Sequence, residues 1–149
     1  MKFTLSFTLL FFVLLSCNKQ EEKQADEDRV LIANYVDNNN LVGQFTDSGL
    51  WYNVTTIGGG IQAHNTATVK VIYTGYLLDG SQFDESPSSG STFSLTSVIQ
   101  GWTEGIPKYK EGGDGKLIIP SGLGYGNKAV GSIPPNSVLI FDVELVEVL

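Results

Sequence analysis

Alternating apolar and polar residues dominate the chain from Gly49 onward and predict a β-rich domain. The clearest alternation runs through 66–78 and through 138–149. A period of two is typical of a strand with one buried face. Shorter stretches rich in β-branched and aromatic residues predict further strands at 50–57, 92–95 and 116–119. Asp79-Gly80 predicts a tight hairpin after the first long strand.

Helical spacing appears once inside this strand-rich region. Val98, Trp102 and Ile106 are spaced four apart and share one face of a short helix. Ser97 and Gln100 fit a capping box at its start. One helix among five or six antiparallel strands predicts an α+β domain.

A second amphipathic segment precedes the domain. Leu31, Ile32, Tyr35 and Val36 share one face of a predicted short helix over 28–36. That face would pack on the domain or take part in a dimer. The residues from 17 to 27 are polar, and such a segment cannot bury enough surface to offset its chain entropy. We therefore predict a flexible tether there.

The N-terminus reads as an export signal. Lys2 is followed by a nearly continuous apolar stretch over 3–15, shorter than the ~20 residues of a membrane-spanning helix. It ends in Leu14-Leu-Ser-Cys17, which resembles the bacterial lipobox. Acylation of Cys17, the only cysteine, would anchor the mature chain to a membrane. The predicted organisation is a signal peptide at 1–16, a tether with a short helix at 17–47, and a folded domain at 48–149.

Charge and composition exclude several classes of function. The chain carries a formal net charge of −7 and no basic patch, which argues against a nucleic-acid partner. Its single histidine, His64, lies in a Gly- and Asn-flanked stretch far from any nucleophile motif. A Ser-His-Asp triad, a Cys/His zinc site and a phosphate-binding loop are therefore not expected. We predict that the chain needs no metal and no cofactor.

Three separated runs of aromatic and apolar residues point to a function. They are Val-Ile-Tyr-Thr-Gly-Tyr-Leu-Leu-Asp-Gly-Ser-Gln-Phe-Asp at 71–84, Val-Ile-Gln-Gly-Trp-Thr-Glu-Gly at 98–105, and Ile-Pro-Pro-Asn-Ser-Val-Leu-Ile-Phe-Asp at 133–142. In combination they resemble the FK506-binding-protein (FKBP) family of peptidyl-prolyl cis/trans isomerases. The resemblance covers 48–149 and implies a curved antiparallel sheet wrapped around one short helix.

The same resemblance implies which residues form the site. The implied catalytic residues are Tyr73, Phe83, Asp84, Trp102, Tyr125 and Phe141, and the implied substrate-binding residues are Val98, Ile99, Ile133 and Phe93. Trp102 would lie beneath the proline ring, and the Ile99 N–H would donate to a ligand carbonyl. Asp84 would orient a hydrogen bond near the twisting amide. Aromatic walls with a few donors suit prolyl isomerisation, since amide rotation requires no proton transfer.

The expected substrates are proline-containing exported polypeptides at the bacterial envelope, reached from a lipid anchor on its periplasmic or surface face. A macrolide of the FK506 type is an expected ligand. The alternative is a binding module or chaperone of the same fold, which grips proline-containing or unfolded segments without turnover.

Overall fold

Seven strands form one antiparallel sheet in the computed structural model of this chain. The structure describes residues 5–149, and side chains from Lys19 onward. The strands are β1 (Gln44–Phe45), β2 (Trp51–Tyr52), β3 (Thr68–Tyr76), β4 (Gln82–Glu85), β5 (Ser91–Ser94), β6 (Gly113–Ile119) and β7 (Leu139–Val148). The helices are α1 (Leu5–Asn38) and α2 (Gln100–Gly105), with 3₁₀ turns at Ile106–Lys108 and Ser121–Leu123.

The sheet is built around its last strand. Its order is β1-β2-β6-β7-β3-β4, with β5 also paired to β3. β7 pairs with β3 from Val69–Val148 to Tyr76–Ile140, and with β6 through pairs such as Gly113–Leu145. All pairings are antiparallel. The α+β prediction is confirmed, although β1 and β2 have only two residues each.

The inner face of the sheet packs on α2. Strand alternation turns one apolar set toward this helix: Val69, Val71, Leu117, Ile119, Leu139, Phe141, Val143 and Leu145. Two glycines let α2 approach β6 closely. A Cβ on Gly101 would lie 2.4 Å from Ile119, and one on Gly105 would lie 2.8 Å from Leu117. This close approach fixes the depth at which Trp102 and Ile106 enter the core.

The predicted capping box at the start of α2 is wrong. The N-cap is Ile99, in an extended conformation and without a side-chain cap. The Ser97 N–H instead donates to the Ser94 carbonyl in a turn. The Ile99 carbonyl accepts the first helical hydrogen bonds, from the N–H groups of Trp102 and Thr103.

The outer face of the sheet packs on α1. Ile32 is fully buried there in a cluster with Trp51, Ile118, Val138 and Ile140. Tyr35 and Val36 pack against the same cluster, as the predicted apolar face requires. Leu31, predicted on that face, is 45% exposed. Of the two roles that the sequence left open for this segment, the structure shows packing on the domain.

The helix α1 is much longer than predicted. It begins at Leu5, not near Asp28, and passes through the segment predicted as a flexible tether. The prediction weighed only apolar burial, whereas Glu, Lys, Gln and Ala favour helix. An ion pair of 3.1 Å joins Lys23 to Glu27, and a hydrogen bond of 2.9 Å joins Gln24 to Asp28. Both link successive turns.

The structure does not test the predicted signal peptide or the predicted lipidation, because it describes no side chain before Lys19. Residues 1–4 are not described, and neither is the side chain of Cys17. Among the described residues, no helix combines the length and apolarity needed to cross a membrane.

Candidate active site

Five aromatic rings from five different elements meet at one edge of the inner core. Trp102 of α2 packs at nearly right angles against Tyr73, Phe93 and Phe141, with centroid distances of 5.0, 5.4 and 5.4 Å. Phe83 joins the group edge-on to Phe141 at 5.5 Å. These are favourable geometries for aromatic pairs. All the aromatic residues predicted for the site, apart from Tyr125, therefore belong to one contiguous aromatic cluster.

Gly75 makes room for this cluster, and sequence reasoning missed it. It lies in β3 opposite Asp84 and Phe141 in the two flanking strands. A Cβ there would stand 2.7 Å from the Phe83 ring and 3.0 Å from the Phe141 ring. The available signal was a glycine at a core-facing position of an otherwise regular apolar alternation.

A polar pair borders the aromatic cluster. The Tyr73 hydroxyl donates a 2.8 Å hydrogen bond to Oδ2 of Asp84, whose Oδ1 accepts from the Glu85 N–H at 2.9 Å. Partial burial, followed by the hydrogen bond and charge of Asp84, raises the pKa of Tyr73 far above its usual value. The Tyr73 hydroxyl therefore stays protonated and remains a donor. Asp84 is exposed, so its carboxylate is accessible from solvent.

Two buried or half-buried donors lack partners at this place. The Trp102 indole N–H is buried and has no hydrogen-bond partner within the described chain. The backbone N–H of Ile99 likewise donates no hydrogen bond to any of the described residues. Val98 and Ile99 pack half-buried on the aromatic core, and Ile133 is buried in it. The structure thus brings together the predicted apolar wall and a free backbone donor.

Tyr125 stands on the flap loop, residues 121–136. It is 37% exposed, and its hydroxyl lies close enough to Tyr73 to contribute to the raised pKa of that residue. Of the predicted polar members, Asp84 is hydrogen-bonded to Tyr73, and Tyr125 acts on the pKa of Tyr73 electrostatically. The remaining predicted residue, Cys17, is remote in sequence and falls outside the described side chains.

Two surface hollows lie elsewhere. One of about 470 Å³ is bordered by Thr103, Glu104 and Pro107, and one of about 490 Å³ lies on the outer face near Lys116 and Asp142. Glu104 in the first hollow is engaged by the Ser48 hydroxyl and Asp142 in the second by Lys116, and the second also carries the carboxyl groups of Asp114 and Glu144. The aromatic cluster, with its unpaired donors, is the better candidate site.

Comparison with known proteins identifies the family to which α2 and most of the sheet belong. Residues 59–146 match the family model described as FKBP-type peptidyl-prolyl cis-trans isomerase. The chain belongs to this family. The match contains every predicted site residue except Cys17. It excludes α1, β1 and β2.

Relatives and solved structures agree. The chain is 49% identical over 105 residues to an FKBP-type isomerase named FkpA from Aeromonas hydrophila, covering 69% of this chain and 39% of the relative. It is 43% identical over 136 residues to a probable FKBP-type isomerase from Haemophilus influenzae, covering 89% and 54%. The chain thus spans about two fifths to one half of these relatives.

Two crystal structures resemble the fold closely. A peptidyl-prolyl cis-trans isomerase from Pseudomonas syringae gives a TM-score of 0.74 at 32% identity, covering 85% of this chain and 94% of the other. FkpA from Escherichia coli gives 0.73 at 37% identity, covering 99% and 73%. The similarity to FkpA from Escherichia coli extends over α1 as well as the sheet.

Proposed function

We propose that this protein catalyses cis/trans isomerisation of Xaa-Pro bonds at the aromatic cluster. The barrier to amide rotation, about 18–20 kcal/mol, comes from the double-bond character of the C–N bond. The planar amide separates charge more than the twisted amide does. An apolar site that strips water from the prolyl carbonyl therefore favours the twisted form. This reaction needs shape and hydrogen-bond donors, and no nucleophile.

The ring arrangement around Trp102 is the observation that carries the proposal. Three rings meet Trp102 nearly edge-on, and this group can hold a proline ring by apolar contact. The buried Trp102 indole N–H has no partner within the described chain, and an unsatisfied buried donor costs about 1–3 kcal/mol. Such a cost is easier to explain where the ring serves a ligand.

Each polar group then has a role. The Ile99 N–H, which has no partner in the described part, donates to the carbonyl of the bound peptide. Asp84, held by the Tyr73 hydroxyl, orients a hydrogen bond near the twisting amide. Tyr125 offers its hydroxyl from the flap loop. Val98 and Ile99 form one wall, Ile133 closes the rim, and Phe93 is a further substrate-binding residue: these are the roles that the family resemblance implies.

An isomerisation assay with the full chain tests the proposal. NMR exchange spectroscopy on a short Xaa-Pro peptide measures the rate with and without catalytic amounts of protein. We expect acceleration that an FK506-type macrolide inhibits. A folded protein that binds the peptide without accelerating exchange would instead be a binding module of the same fold.

We further propose that the mature protein acts on exported, proline-containing polypeptides from a lipid anchor at the bacterial envelope. The support is the apolar stretch that ends in Leu14-Leu-Ser-Cys17. Acyl chains contribute about 0.8 kcal/mol per buried CH₂, so several chains on one residue anchor firmly. Cys17→Ser should release the protein from membranes and block processing after Ser16. Normal processing and membrane association of this variant would exclude the anchor.

A further inference from the structure

A fully buried carboxylate joins α1 to the flap loop. Asp28 has no exposed surface. Its Oδ2 accepts hydrogen bonds from the Ser121 backbone N–H at 2.7 Å and the Ser121 hydroxyl at 2.6 Å. Its Oδ1 accepts from the Gln24 side chain at 2.9 Å. Within the described side chains, no Lys or Arg forms an ion pair with it.

A contribution to stability does not by itself explain why a carboxylate is buried at position 28. Taking a carboxylate out of water is costly unless hydrogen bonds replace its hydration, and an apolar residue in such a place is often neutral or better. Asp28 lies one turn before Ile32, where an apolar side chain would continue the face that packs on the sheet. The carboxylate does what an apolar residue cannot: it fixes Ser121 through two directed bonds to one oxygen.

Ser121 in turn holds both sides of Tyr125. Its carbonyl accepts from the N–H of Gly124 at 3.0 Å and from the N–H of Gly126 at 2.8 Å. The Gly126 carbonyl accepts from the Asn136 N–H at 2.8 Å, near the other end of the flap loop. Gly126 has φ +60°, a conformation that glycine adopts readily. A continuous series of hydrogen bonds thus runs from α1 to the residues that flank Tyr125.

We propose that Asp28 is a positioning residue for the isomerase site. Through Ser121 it holds the flap loop and thereby fixes the position of Tyr125 in the proposed site. Asp28 lies outside residues 59–146, the part that matches the family model. The helix α1 is therefore part of the working site as well as a cover for the sheet. This inference rests on the proposed function.

Amide hydrogen exchange of the full-length protein tests the structural half without any activity. Asp28→Ala should speed exchange at Gly126 and Asn136 by about tenfold, which corresponds to about 1.4 kcal/mol of local opening. Amides of the β3–β7 pairing should keep their protection. Asp26→Ala, which removes an exposed carboxylate from the same helix, is the matched control and should change neither. Unchanged flap-loop exchange, or an equal loss of protection throughout the sheet, would overturn the proposal.

Steady-state kinetics test the functional half. Asp28→Ala should lower kcat/KM about as much as Tyr125→Phe does, and the double variant should lose little more, because both changes act on one group. Local loosening with unchanged kcat/KM would make Asp28 a structural contact only and overturn its assignment to the site. If Asp28→Ala does not fold, Asp28→Asn and Ser121→Ala serve in both measurements, with the same two decisions.

Failure of the isomerase proposal can be distinguished from failure of the Asp28 proposal. A wild-type protein that does not accelerate isomerisation would refute the isomerase proposal, while the exchange experiment would still report on Asp28. The affinity for the same Xaa-Pro peptide would then replace kcat/KM. Weaker binding by Asp28→Ala but not by Asp26→Ala would support the positioning role, and equal binding would overturn it.

Discussion

The two faces of the sheet treat their polar groups in opposite ways. On the inner face, the Trp102 indole N–H and the Ile99 N–H have no partners within the described chain. On the outer face, Asp28 is buried with both carboxylate oxygens bonded. Buried polar groups are normally satisfied. The outer face thus satisfies its buried carboxylate in full, whereas the inner face leaves two donors unpaired within the described residues, as the proposed peptide-binding role requires.

Truncation of the central ring should have the largest effect. Trp102→Ala removes a buried side chain that packs against three other rings, and should cost about 3–5 kcal/mol of unfolding free energy as well as peptide affinity. Urea denaturation and the isomerisation assay measure the two losses. Trp102→Phe keeps an apolar ring and should retain more of both. A stable Trp102→Ala protein with normal turnover would remove Trp102 from the site.

A substitution on the outer face should lower the free energy of unfolding without lowering the isomerase activity. Ile32→Ala creates a cavity beneath α1 and should cost about 2–4 kcal/mol, while kcat/KM of the folded protein stays within about twofold. Leu31→Ala is the matched control, because Leu31 is 45% exposed on the same helix and should change stability by about 0.5 kcal/mol or less. Equal losses in the two variants would show that α1 does not pack on the sheet as described.

Substitution of Asp84 should have the opposite effect, lowering activity without lowering stability. It is exposed, so Asp84→Ala should leave the unfolding free energy nearly unchanged. The same change should lower kcat/KM about tenfold, or about 1.4 kcal/mol of transition-state stabilisation. Asp84→Asn keeps an acceptor for the Tyr73 hydroxyl and should retain more activity. If turnover is normal in a folded Asp84→Ala protein, Asp84 is only a structural partner of Tyr73.

The smallest expected effect concerns a satisfied polar group on the inner face. Tyr109 is buried, and its hydroxyl shares its one proton between the carbonyls of Asn53 and Lys116. Burial, and then the charge of Asp114, raises the pKa of Tyr109 above its usual value. Above pH about 10 the unfolded chain loses a proton that the fold retains, so stability is present below that pH and declines above it.

Tyr109→Phe should weaken that alkaline decline by up to about one proton per molecule. Urea denaturation between about pH 8 and 11 measures the slope. At neutral pH the variant should lose about 1 kcal/mol for its missing hydrogen bonds. An unchanged alkaline slope would mean that Tyr109 is as accessible in the fold as in the unfolded chain.

The sequence predicted the inner face well because its signals are local. Alternation placed Val69, Val71 and Tyr73 on one side of β3, and Asp79-Gly80 marked the hairpin that follows, where Gly80 has φ +84°. Motif resemblance then identified rings on separate strands as one group. The roles of individual site residues remain predictions, as does the lipid on Cys17.

The sequence could not predict features that arise from pairs of distant residues. No residue near Asp28 in the sequence indicates its contact with Ser121, which lies 93 positions later. The approach of Gly101 and Gly105 to β6 depends on Ile119 and Leu117 across the core. The length of α1 was underestimated because its polar half lacks an apolar stripe, although i,i+4 pairs such as Lys23–Glu27 support it.

The central place of β7 governs when the domain can fold. Val148 pairs with Val69, and Leu145 pairs with Gly113, so β7 joins both halves of the sheet, and it is the last of the seven described strands to be synthesised. Until then, β3 and β6 have no common partner, and the chain has to close contacts of large sequence separation. Such topologies fold slowly. The sheet of a nascent chain therefore cannot close until β7 has been synthesised.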